Sequence, residues 1–266
     1  MSQELEIQEL LKSGAHFGHQ TERWNPKMKK YVYGEKNGVY IIDLSQTIPL
    51  AKKAYDFLKK TSASGKSILF VGCKRQAREA VRVAAEECGA FYVTQRWLGG
   101  MLTNYKTISL SIDKLRKVEK MKESGDFTLL TKKEQSKINK EVEKLERNLG
   151  GIKNMRKVPG ALFIIDPHNE NIAVKEANHL GIPVVAITDT NCDPTGIDYV
   201  VPGNDDAIKS ISLFIKYFAN AITEGGSKAR KENDDSSDRD ISLEREIIEK
   251  YERDIDLKLD AEDKEE

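Results

Sequence analysis

The chain has 266 residues, with 43 Lys and Arg against 43 Asp and Glu, and mean hydropathy is −0.55. That length suits one substantial core plus an appendage, and no apolar run approaches the roughly 20 residues of a membrane helix. The formal charge of zero hides an asymmetry: residues 1–120 carry 21 Lys and Arg against 12 Asp and Glu, residues 121–231 carry 16 against 15, and residues 232–266 carry 6 against 16. A basic body predicts an anionic partner, and the acidic end reads as a solvated extension.

Cys73, Cys88 and Cys192 are odd in number and form no Cys-x-x-Cys. This spacing points to a reducing cytosol and away from disulfides or a zinc knuckle. Met1 to Leu11 is acidic and amphipathic, unlike a signal peptide. The expectation is a cytoplasmic protein with no membrane partner.

In chain order, short apolar runs at Val39 to Ile42, Ile68 to Val71, Phe91 to Val93, Ala161 to Ile165, Val184 to Ile187 and Tyr199 to Val201 read as strands buried on both faces. Amphipathic patterns at Thr47 to Lys60, Lys74 to Cys88 and Ile208 to Ile222 read as helices between or after them. The alternation predicts a three-layer α/β domain with a parallel sheet.

It breaks between Met101 and Val158. Apolar residues fall at Met101, Tyr105, Ile108, Ile112 and Leu115, then at Ile138, Val142, Leu145, Leu149 and Ile152. These are two heptad seams, and Thr131 with Glu134 forms a capping-box signature for the second. The expectation is an antiparallel coiled-coil hairpin projecting from the sheet. Past Gly226 a polar linker leads to a thin apolar stripe at Ile241, Ile248, Tyr251 and Ile255.

Enzyme signatures are weak. No Gly-x-Gly-x-x-Gly follows a strand, and Gly65-Lys66-Ser67 precedes its strand where a P-loop follows one. His16-x-x-His19 lacks zinc-protease spacing, and the calcium-loop match at Asp189 fails at Pro194 and Val200. A magnesium ion near Asp189 and Asp193 is the one metal candidate, and no other cofactor is expected.

What remains is basic and aromatic. His16 and His19 precede Arg23-Trp24-Asn25-Pro26-Lys27-Met28-Lys29-Lys30, Lys74-Arg75 follows a strand, and Arg96-Trp97-Leu98-Gly99-Gly100 follows another. Such cations neutralise phosphates, and the rings can stack on bases. An enzyme taking a phosphorylated molecule near Gly72, or a coiled-coil scaffold, are the other two readings open at this level.

Several strings resemble the family of the second protein of the bacterial small ribosomal subunit. They are Ser13 to His19, Trp24 to Met28, Ile41 to Leu44 with Gln46-Thr47, Val71 to Ala77, Arg96 to Asn104, and Thr188 to Pro194, covering about residues 5–225 in order. The resemblance implies a flavodoxin-like sheet domain (1–100 with 157–225), a coiled-coil hairpin (101–156) and an acidic extension (226–266) outside the shared pattern. It further implies a non-enzymatic protein that binds small-subunit ribosomal RNA where head meets body and helps recruit the largest small-subunit protein. It also implies contact with neighbouring subunit proteins and no homo-oligomer. On that basis Lys27, Lys29, Lys30, Lys74, Arg75 and Arg96 are candidate phosphate contacts. His16, His19, Trp24 and Trp97 are candidate stacking residues, and Arg23, Thr103 and Asn104 complete the set.

Overall fold

The computed structural model describes residues 5–227. The stripe at Ile241 to Ile255 lies outside the described residues. Helix α1 (Ile7–Ser13) leads into β1 (Phe17–Gln20), and β2 (Val32–Lys36) turns into β3 (Val39–Ile42). The β2–β3 loop is two residues, Asn37 and Gly38, both left-handed at φ 53° and 74°. That is the turn whose twist suits a tight hairpin, and Asn-Gly is its preferred sequence.

These strands form a separate antiparallel sheet in the order β1-β3-β2. The placement corrects the sequence reading, which took Val39 to Ile42 as a member of the parallel sheet. An apolar run of four residues carries no signature of its partner's direction.

Next come α2 (Leu44–Ala63), β4 (Ile68–Val71), α3 (Arg78–Cys88), β5 (Phe91–Val93), α4 (Tyr105–Ser124), α5 (Lys132–Leu149), β6 (Ala161–Ile165), α6 (Asn171–His179), β7 (Val184–Thr188), β8 (Tyr199–Pro202) and α7 (208–227). Asp43 caps α2 by accepting from the Ser45 N–H at 3.0 Å. The five later strands are all parallel in the order β5-β4-β6-β7-β8. Numbered along the chain, this is 2-1-3-4-5, the flavodoxin-like arrangement.

Side-chain alternation divides the strands between two helical layers. Ile68, Phe70, Phe163, Ile165, Val185 and Ile187 pack with α2, α3 and α7 through Leu58, Val81, Phe214 and Phe218. Leu69, Val71, Leu162, Ile164, Val184 and Ala186 pack with α6 and the roots of α4 and α5 through Ala173, Ile112 and Leu149. The three-layer expectation holds.

Helices α4 and α5 stand between β5 and β6 in sequence. The capping box at Thr131 and Glu134 is present in full. Ile112, Leu115 and Val118 are buried on α4, whereas Ile138, Val142 and Leu145 of α5 are half-buried. Lys114 pairs with Glu141 across the two helices, and the Tyr105 hydroxyl donates to the Met155 carbonyl near their roots. The turn at Gly150–Ile152 returns the chain along β5. A Cβ on Gly151 would lie 2.2 Å from the Tyr92 carbonyl oxygen, so this backbone runs directly against that strand.

Candidate nucleic-acid interface

The N-terminal basic segment is laid over the loop that follows β7. The Asn25 N–H donates to the Thr190 carbonyl at 2.8 Å, and the His19 N–H donates to Thr190 Oγ1 at 2.9 Å. Gly18 is required here, because a Cβ would sit 2.6 Å from Thr190 Cγ2. The following turn, Pro26–Tyr31, buries Met28 and Tyr31 and so leaves Lys27, Lys29 and Lys30 at the surface. Arg23 is exposed beside them. Lys30 Nζ lies 4.8 Å from the Tyr31 ring centroid, and Trp24 is half-buried with its ring 4.9 Å from that of Tyr40. Lys27 is engaged, donating to Asp193 Oδ2 at 2.8 Å and to Thr195 Oγ1 at 2.8 Å. His16 is half-buried against Phe17 at 4.0 Å between centroids, and burial lowers its pKa.

At the carboxyl ends of the parallel strands sits an ion network that was not foreseen as a unit. Lys74 Nζ, 14 % exposed, meets Asp166 at 3.1 Å, Asp205 at 2.7 Å and Asp206 at 2.5 Å. Burial lowers the Lys74 pKa, but Asp205, Asp206 and Asp166 outweigh it and the net shift is upward. Burial raises the Asp205 pKa, and repulsion from Asp189 and Asp166 adds to this against the pull of Lys74. The Lys74 assignment is therefore corrected: its charge is already opposed by three carboxylates, leaving little to offer a phosphate.

His19 is likewise held inward, with Nδ1 3.0 Å from Asp189 and Nε2 3.3 Å from Asp206. The hydrogen bond to Asp189 raises its pKa against the lowering effect of burial. Gly72, at the position where a phosphate-binding loop would start, instead lets α3 approach. A Cβ there would lie 2.9 Å from Val81 Cγ2.

Two groups could supply metal ligands among the described residues. One is His19, Asp189, Asp205 and Asp206, and the other is Asp166, Cys192 and Asp205. Asp193 is in neither. Its carboxylate faces Lys27 and Thr195, while that of Asp189 faces His19 and Thr190, so the two are directed to different partners.

The loop after β5 is organised around Glu176 of α6. Its carboxylate accepts from Trp97 Nε1 at 3.0 Å, Gly100 N at 2.7 Å, Leu102 N at 2.9 Å, Thr103 N at 3.0 Å and Thr103 Oγ1 at 3.1 Å. Burial raises the Glu176 pKa, but these donors together bring it below its ordinary value. Trp97 is 6 % exposed and belongs to the core, which corrects its assignment as a stacking residue. Gly100 adopts φ 83°, whereas Gly99 is exposed and meets no neighbour. The glycine pair therefore serves a tight turn instead of a close backbone approach. Arg96 is exposed at the mouth of this loop, and Asn104 accepts from the Thr107 hydroxyl at 2.9 Å.

Of the predicted residues, Arg23, Lys27, Lys29, Lys30, Arg75, Arg96, Thr103 and Asn104 are exposed, Lys27 being paired with Asp193. Sequence reasoning missed Asp166, Asp205 and Asp206, although an Asp directly after the strand ending at Ile165 and an Asp pair shortly after the strand ending at Pro202 were usable signals. It also missed Glu176, whose signal was an acid beside Ala173 and Ala177 on the apolar stripe of α6.

No helix among the described residues is long and apolar enough to cross a membrane. The sequence pattern of the family described as ribosomal protein S2 matches residues 10–225. Small ribosomal subunit protein uS2 of Treponema pallidum subsp. pallidum is 51% identical over 249 residues, covering 90% of this chain and 86% of that protein. The protein of the same name from Treponema pallidum strain Nichols matches to the same extent. With the flavodoxin-like sheet and its carboxyl-edge crevice filled by the protein's own ion network, these matches make the chain a member of the ribosomal protein S2 family, a structural protein of translation and not an enzyme.

Proposed function

We propose that this protein binds small-subunit ribosomal RNA through the carboxyl edge of its parallel sheet. The supporting observation is convergence. Arg75 follows β4, Arg96 follows β5, and the segment bearing Arg23, Lys29 and Lys30 is tied through Asn25 to the loop after β7. Exposed cations gathered from distant parts of the chain suit a phosphate-rich partner. Residues 1–100 and 157–225 act as the sheet body in this reading, and 101–156 as a coiled-coil arm that reaches RNA or neighbouring proteins.

The same reading includes helping to bring the largest small-subunit protein to the ribosome. Phe17 and Tyr33, on the two outer strands of the antiparallel sheet, are 49% and 80% exposed. Exposed aromatic side chains are common anchors of protein interfaces.

The test is incorporation of Arg75→Ala and Arg96→Ala into reconstituted small subunits across a salt series. Each substitution removes a surface cation and lowers the salt slope of RNA binding by about one. Incorporation at the wild-type level at every salt concentration would sink the assignment.

A further inference from the structure

We propose that the cleft between the β5–α4 loop, the end of α5 and the start of α6 receives one unstacked nucleotide of RNA, with its phosphates at Arg96, Lys144 and Arg147. This deepens the RNA-binding reading above and rests on it. The cleft has a volume of about 690 Å³, within the usual range of small-ligand pockets. It is too small for a duplex, and proteins that read RNA by its bases commonly take single-stranded or bulged nucleotides.

The three cations come from two directions. Arg96 stands on the loop fastened by Glu176, while Lys144 and Arg147 are three residues apart on α5 and share its face. All three are exposed, and among the described residues none meets a carboxylate at ion-pair distance. Some other surface cations, Arg82, Lys114 and Lys27 among them, are instead paired with Glu79, Glu141 and Asp193.

The wall and floor suit a base. Ile172 is 48% exposed and offers an apolar surface. Asn148 contributes an amide, and Asn169 is oriented by donating from Nδ2 to Asp166 at 2.6 Å, which leaves its Oδ1 to accept from an exocyclic amine. The one acid in the lining, Glu170, is 6% exposed, and its carboxylate accepts from the Cys73 N–H at 3.3 Å.

The experiment uses the full chain carrying Ile172→p-benzoylphenylalanine, assembled into small subunits from RNA and the other subunit proteins, then irradiated. A second chain carries the same photoreactive group in place of Lys30. The expected result is an RNA crosslink from position 172, mapping by primer extension to a bulge or loop. A protein crosslink from 172, an RNA crosslink within a duplex, or none while position 30 labels RNA, overturns the cleft assignment alone. Failure of both positions to label RNA overturns the RNA-binding reading as well. In parallel, Lys144→Ala and Arg147→Ala are each expected to weaken binding of a bulged RNA hairpin about tenfold more than of its fully paired counterpart. Equal losses on both RNAs count against nucleotide recognition.

Discussion

Glu176 of α6 accepts the indole N–H of Trp97 at 3.0 Å, and through this contact a buried acid fixes the loop from which α4 departs. The same carboxylate accepts from three backbone N–H groups and one hydroxyl. Glu176→Ala leaves these donors without their acceptor in a largely dry site. A loss of about 3 kcal/mol is expected from urea unfolding at neutral pH. Glu176→Gln keeps an acceptor oxygen and loses less. Because the folded Glu176 pKa lies below its ordinary 4.5, the stabilisation is present above that value and disappears as pH falls through the folded pKa. The gap between wild type and Glu176→Gln is therefore expected to narrow on acidification below the ordinary 4.5 and through the lowered folded pKa.

His19 gives the opposite pH dependence. Its pKa is raised above the ordinary 6.5, first by the hydrogen bond to Asp189. A raised histidine stabilises fully below its unfolded pKa, and the contribution is lost as pH rises through the folded value. His19→Gln is thus expected to destabilise more at pH 6 than at pH 8, by thermal unfolding in matched buffers. Titration of the His19 ring by NMR gives a midpoint above 6.5 if the ion pairs are as described.

Lys74→Met removes the cation shared by Asp166, Asp205 and Asp206. Stripping a partner from a buried charged group commonly costs about 3–5 kcal/mol. Adding Asp205→Asn removes the buried carboxylate that lost its partner, and the double variant is expected to recover about 1 kcal/mol or more relative to additivity. A strictly additive double-mutant cycle would show that the two side chains are not coupled.

The adjacent glycines at 99 and 100 separate cleanly. Gly100→Ala forces a Cβ into φ 83° with Asn104 Cβ only 3.2 Å away, and about 1–2 kcal/mol of stability is expected to be lost. Gly99→Ala meets no neighbour within 4 Å and lies outside the left-handed region. Its unfolding midpoint is expected to stay at or slightly above that of wild type.

The parallel strands were readable because each is a short apolar run, the composition expected of a strand covered on both faces, although the half-buried run at Val39 to Ile42 has the same composition and belongs to the antiparallel sheet. Helices α4 and α5 were readable from their apolar spacing, and Thr131 with Glu134 announced the start of α5. The antiparallel sheet was obscured because β1 and β2 include His19, Gln20, Glu35 and Lys36, which read as loop. Exposed and half-buried strands lack the composition that identifies buried ones. At the site, the identity of a cation was visible but its partner was not. Lys29 and Lys74 look alike in sequence, yet one is exposed and the other is enclosed by acids 92 to 132 residues away. Charge compensation across such separations is set by topology, which local patterns do not encode.

The passage of Gly151 against the Tyr92 carbonyl has a consequence for the chain before it reaches the ribosome. β5 is a border strand of the parallel sheet and would otherwise present unpaired backbone groups to other copies. The return leg from α5 lies across it, closer than any side chain would permit. The insertion thus carries its own guard against strand-to-strand aggregation, and newly made protein can wait for assembly with that border of the sheet already covered.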